Sequence, residues 1–182
     1  NVAKVVIKNK GNDVYDEAQD TKVTGVVTGR ETLDGKIVSL TIVSEGTTKS
    51  FTDFTDTVKN GQTGNAVSGN VVTVTYGKDN NKVSDITSVS MTGTVTYTSK
   101  SEATATTGTT TGVVNGKING REFATSITPT ILVKDGNSWK VVTYGELSDI
   151  AATTDYANGK KLVINYHEMA KDIIDYAVVE VQ

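Results

Sequence analysis

The chain has no cysteine, one proline, one histidine and one tryptophan among its 182 residues. The missing thiols exclude a disulfide scaffold, thiol catalysis and cysteine-ligated zinc. They do not fix the compartment, because a domain large enough to bury a core needs no disulfide outside the cell. The net charge is only −3 and no Lys/Arg cluster stands out, which argues against a nucleic-acid partner. No apolar run approaches the ~18 residues of a membrane span, and no secretory signal opens the chain. The sequence starts on Asn1 and runs straight into Val2-Ala3-Lys4-Val5-Val6-Ile7, which reads as a stretch of a longer protein.

The apolar fraction is 36%, and the remainder leans on threonine, at roughly 30 positions, and glycine. Threonine is β-branched and sits well on the solvated face of a strand. With Pro129 the single proline, the composition predicts mostly antiparallel sheet. The chain also echoes itself. Val72-Thr73-Val74-Thr75-Tyr76 followed by Val83-Ser84-Asp85-Ile86 is answered about 90 residues on by Leu162-Val163-Ile164-Asn165-Tyr166 and Ile173-Ile174-Asp175-Tyr176. Thr111-Gly112-Val113-Val114-Asn115-Gly116 echoes Thr24-Gly25-Val26-Val27-Thr28-Gly29 at nearly the same offset. The reading is two tandem antiparallel β modules, small barrels or sandwiches, at 1–90 and 91–182, with one or two short helices. No flexible linker separates them near Ser90-Met91, which predicts a stiff junction with the modules end to end.

Within this frame, Asp34-Gly35, Glu45-Gly46 and Asn119-Gly120 signal hairpin turns. Val2 to Lys8 reads as a strand and Asn9 to Asp20 as a loop with a helical turn at Asp16-Glu17-Ala18. A short helix is expected within Thr55 to Asn70, and one or two helical turns over Gly145 to Ala152. The Ser/Thr-rich stretch 99–110 has almost nothing to pack and reads as an exposed loop.

Legible chemistry is sparse, and no catalytic, cofactor-binding or metal-ligating residue is assigned. His167 has no nucleophile that the sequence places beside it, and a surface position is its ordinary reading. Asp85 and Asp175 recur at matching positions, which favours a shared architectural role in bonding a turn or loop over ion ligation. Lys78-Asp79-Asn80-Asn81, and Asp16-Glu17 with Asp20, cluster oxygen donors but lack the spacing of a calcium loop, so turn chemistry is expected. Calcium at a junction between modules stays open, since ligands from separate loops escape a linear scan. Gly25 with Gly29, and Gly108 with Gly112, lack the Lys-Ser or Lys-Thr of a phosphate loop. Tyr76 and Tyr166 follow an apolar alternation and read as core or rim; Trp139 is the best candidate for an exposed aromatic, with core packing favoured.

Thr24-Gly25-Val26-Val27-Thr28, Asp34-Gly35-Lys36 and Gly69-Asn70-Val71-Val72-Thr73-Val74-Thr75-Tyr76 resemble the β repeats of bacterial surface-layer proteins. So do Ile131-Leu132-Val133 before Asp135-Gly136, Tyr144-Gly145-Glu146-Leu147-Ser148-Asp149-Ile150, and Asn158-Gly159-Lys160-Lys161-Leu162-Val163-Ile164. The resemblance implies a non-catalytic structural module of an extracellular surface array, with copies of the same chain as partners. It also implies attachment to cell-wall polymer through domains outside this stretch. The rival readings are an adhesin contacting a glycan or host protein through 99–110 or Trp139, and an accessory module of a secreted hydrolase.

Overall fold

The computed structural model describes residues 20–107, 111–136 and 138–182. The chain is mostly β, with two sheets and three short helices among the described residues. The strand expected at Val2 to Lys8, the turn at Asp16-Glu17-Ala18, and residues 108–110 of the Ser/Thr-rich stretch lie outside the described residues.

The first sheet is built on a long strand, β1 (Asp20–Leu33). Its first half pairs with β4 (Val71–Gly77) and its second half with β2 (Lys36–Ser44), both antiparallel. Register shifts between Val27 and Gly29 and between Glu31 and Thr32 bend β1 between these partners. The turns at Asp34-Gly35 and Glu45-Gly46 hold positive φ at both residues (50° and 75°, 48° and 72°), the type I′ geometry that their composition predicted. β3 (Thr47–Phe51) and β5 (Val83–Ser88) complete the order β3-β2-β1-β4-β5.

Beyond β3 the chain curls back. Phe54 makes a parallel bridge to Val83, flanked by Thr55 N–H to Val83 O and Val83 N–H to Asp53 O, each at 2.9 Å. This contact closes the sheet, and α1 (Asp56–Gly61) follows it, directing Val58 into the interior. Five strands in this order, a helix between the third and fourth, and a parallel bridge from the segment after β3 to β5 give the first sheet the topology of a small Greek-key barrel of the OB type. Its core is Val27, Leu40, Ile42, Phe54, Val74 and Ile86 with their neighbours. Such a barrel hosts many functions, so the topology by itself decides none.

The second sheet is organised around β12 (Leu162–Ala170) and β13 (Ile173–Val181), an antiparallel pair. β6 (Gly93–Tyr97) flanks β12. On its other side β13 takes two parallel partners, β10 (Thr130–Asp135) along its end and β9 (Arg121–Phe123) along its start. β11 (Ser138–Val142) lies outside β10. β7 (Val113–Val114), β8 (Lys117–Ile118) and β9 form a zigzag whose turns, Asn115-Gly116 and Asn119-Gly120, again hold positive φ. The echo between Thr111–Gly116 and Thr24–Gly29 is therefore one of sequence: the first is a tight hairpin and the second runs mid-strand. The two parallel pairings likewise depart from the antiparallel expectation. What recurs is the pair of hairpins β4–β5 and β12–β13.

Two helices cover the second core. α3 (Tyr144–Thr153) begins with a capping box, in which Thr143 Oγ1 accepts from Glu146 N–H and the Glu146 carboxylate accepts from Thr143 N–H. Leu147 and Ala151, one turn apart, are its buried face, and burying the leucine alone contributes about 2 kcal/mol. α2 (Lys100–Ala103) occupies the stretch read as an exposed loop. Ser99 Oγ caps Glu102 N–H, the Glu102 carboxylate takes Thr98 N–H, and Ala103 is fully buried. Ser99-Lys100-Ser101-Glu102 is a capping-box sequence, and this pattern outweighs the low apolar content.

Candidate functional site

A third apolar cluster joins the two sheets. Val26 of β1 and Val71 of β4 meet Leu132 of β10 and Tyr176 and Val178 of β13. These residues alternate with residues of the two main cores: Val27 and Val72 point into the first, Ala177 and Val179 into the second. The central strands are thus buried on both faces, which explains the nearly unbroken apolar run of β13. The Tyr176 hydroxyl donates to Thr24 O across the junction at 2.7 Å, and burial holds this phenol above its ordinary pKa. The contact lies on strand faces rather than at module ends. The connection between β5 and β6 is tied to both sheets, Val89 N–H to Val71 O and Thr92 N–H to Tyr166 O, each at 2.8 Å, and Val89 and Met91 pack against the cluster.

Trp139 belongs to this junction. It is half-buried, and its six-membered ring lies against Gly69 so closely that an added Cβ would stand 2.8 Å from ring carbons. Gly69 holds φ at +92°, so conformation and space both require glycine there. Beside the ring opens a groove of about 310 Å³. Its floor is Val89, Met91 and Val178, and Asn70, Asn165 and Glu180 stand on its walls. Lys134 Nζ lies 5.7 Å from the indole centroid and 3.8 Å from the Glu180 carboxylate.

The other predicted residues are placed apart from this groove or are structural. His167 is half-buried rather than a surface residue, and its Nδ1 lies 2.6 Å from Asp175 Oδ1. Asp175 is 7% exposed, sits at the irregularity of the β12–β13 register, and also accepts from Tyr176 N–H. The pair supplies a base and an orienting carboxylate; among the described residues no nucleophile is hydrogen-bonded to it. Next to it Arg121 Nε donates to Glu168 at 2.5 Å, and the guanidinium stands 4.9 Å from the Tyr166 ring centroid. Asp85, the counterpart of Asp175, instead accepts from Thr87 Oγ1 and Gln62 Nε2, while Gln62 Oε1 accepts from Ile86 N–H. The Thr87 hydroxyl, with the Gln62 amide, lowers the Asp85 pKa. The two aspartates therefore do different work: one ties the end of α1 to β5, the other holds an imidazole.

The oxygen-rich turn at Lys78–Asn81 is turn chemistry, with Asn80 Oδ1 accepting from Lys82 N–H and Asn81 at φ +56°. Asp16 and Glu17 lie outside the described residues, as does Gly108. Gly25 and Gly112 permit close backbone approach, each lying where a Cβ would strike a carbonyl, of Val43 and Ala103 respectively. Tyr76 lies tilted against Phe51 at the barrel rim, ring centroids 5.1 Å apart, and Tyr166 is buried. Asn70 and Asn165 were not singled out by the sequence, because nothing in a linear scan brings them together; the Gly-Asn before β4 was the nearest signal.

Compared with family models, curated proteins and solved structures, the chain matches none of them.

Proposed function

We propose that this chain is a non-catalytic structural module of a bacterial surface array, working outside the cell and contacting copies of itself. One observation carries the reading: the two β units are locked to each other. A shared apolar cluster, the Tyr176–Thr24 hydrogen bond and a connection bonded at both ends fix their relative orientation. A lattice needs that property, because errors in the angle between modules accumulate over many copies, whereas a tethered pair joined by a flexible linker would not register.

The resemblance to surface-layer β repeats supports the same reading. So does the outer strand β6, which presents Thr94 and Thr96 to solvent on the sheet's margin. Threonine keeps such a margin soluble while leaving its backbone available for strand addition.

The test is electron microscopy of the purified protein at rising concentration, with and without calcium. Ordered sheets or linear arrays are the expected result. Monodisperse particles under every condition, or a measured turnover activity, overturn the array reading.

A further inference from the structure

We propose that the groove between the two sheets binds a neutral sugar unit of a glycan. The inference is independent of array formation and rests on what lines the groove. Its volume of about 310 Å³ is at the small end of ligand pockets, which run from ~300 to ~1,000 Å³, so it suits one or two sugar rings rather than an extended chain. It lies between two packed units, a preferred place for such pockets.

A pyranose ring has an apolar C–H face and a rim of hydroxyls, each both donor and acceptor. The groove answers both. Val89, Met91, Val178 and the half-buried Trp139 give an apolar surface. Asn165 accepts from Thr94 Oγ1 through its Oδ1, and among the described residues its amide Nδ2 has no protein partner. Asn70 is the complement: its Nδ2 donates to Asn65 O and its Oδ1 is unpaired among the described residues. A donor and an acceptor, each oriented by a bond through its other half, thus belong to residues that line the same groove. The single carboxylate of the lining, Glu180, is paired with Lys134 beside the groove at 3.8 Å, which offsets its charge and favours a neutral ligand. The elements that hold these groups come from both units, so the junction that fixes the sheets also assembles the site.

Trp139 is the only tryptophan, so fluorescence excited selectively in tryptophan reports on this groove. The experiment titrates the protein with cellotetraose, maltotetraose and chitotetraose, with tetraethylene glycol as a hydroxyl-bearing control. A saturable change with at least one oligosaccharide and none with the control is expected. Asn165→Leu keeps much of the side-chain volume and removes the amide donor without adding a polar replacement, and it should weaken binding about tenfold, the loss of one good hydrogen bond. Circular dichroism of the variant separates this from unfolding. Asn70→Ser gives a second reading from the opposite wall, again with a several-fold loss. No saturable change at about 10 mM of any oligosaccharide, an order of magnitude above the millimolar affinity of a weak site, overturns the proposal. So does a response that both variants leave unaltered.

Discussion

Leu132→Ala tests whether the junction makes one cooperative body of the two sheets. Leu132 is fully buried, yet it belongs to neither main core; its neighbours are the junction residues Val26, Val71, Tyr176 and Val178. Truncation leaves both cores intact and opens a cavity between them. Leucine-to-alanine changes at buried sites cost about 2–5 kcal/mol, and a site walled by strands of two sheets should collapse poorly, which places the cost near 3 kcal/mol. That is a factor of about 150 in the equilibrium between joined and separated sheets. Tyr176→Phe, which removes the bond to Thr24 O and little volume, should cost about 1 kcal/mol by comparison. The assay is urea unfolding followed by Trp139 fluorescence, which reads the junction, and by far-ultraviolet circular dichroism, which reads both sheets. The unaltered protein should give coincident transitions, and Leu132→Ala should move fluorescence to lower urea ahead of dichroism. A loss below 1 kcal/mol with both probes still coincident would refute the reasoning, as would two separate transitions in the unaltered protein.

Gly69→Ala places a methyl against the Trp139 ring at a left-handed φ and should destabilise by about 1–3 kcal/mol, with a shift in the Trp139 emission as the independent sign of displacement. Ser99→Ala removes the cap of α2 and should cost about 1 kcal/mol in thermal or urea unfolding; an exposed loop would show no change. Stability should fall at both ends of the pH range. Glu146, held down to about 2 by the Thr143 amide and Lys140, contributes stability that is complete above its ordinary 4.5 and is lost as pH falls toward 2, a loss that Glu146→Gln should remove from the acid titration. Tyr97, pushed up to about 12 by burial, stays neutral in the folded chain while the unfolded chain ionises from 10, so its contribution is lost as pH rises between 10 and 12. Tyr97→Phe should flatten that alkaline limb.

The strands that a sequence reading finds here are those bounded by turn dipeptides. Asp34-Gly35, Glu45-Gly46 and Asn119-Gly120 each take the positive φ that their composition suits, and the alternation of β4 sends Val72 and Val74 into the core. Asn115-Gly116 carries the same signal, but the apparent repeat sets it against Thr28-Gly29, which lies within β1 rather than in a hairpin. The parallel pairs of β13 were hidden for another reason: a strand buried on both faces shows no alternation, and nothing local names its partners. The groove was the least legible part. Trp139 was visible as a candidate, but the glycine it rests on and the two asparagines beside it come from distant segments that only the packed sheets bring together.

The alternating burial of β13 bears on how the chain is made. Among the described residues, every strand of the first sheet lies within Asp20–Ser88, so those pairings are available once these residues have left the ribosome. The second sheet has no centre until Ile173–Val181 arrives, and the same nine residues supply the junction contacts on their other face. Until then the first barrel presents Val26 and Val71 to solvent as an uncovered apolar patch, ready to meet the wrong neighbour. A pause in synthesis before residue 173 would therefore leave that patch uncovered, and β13, once made, both completes one core and covers the other unit's exposed side.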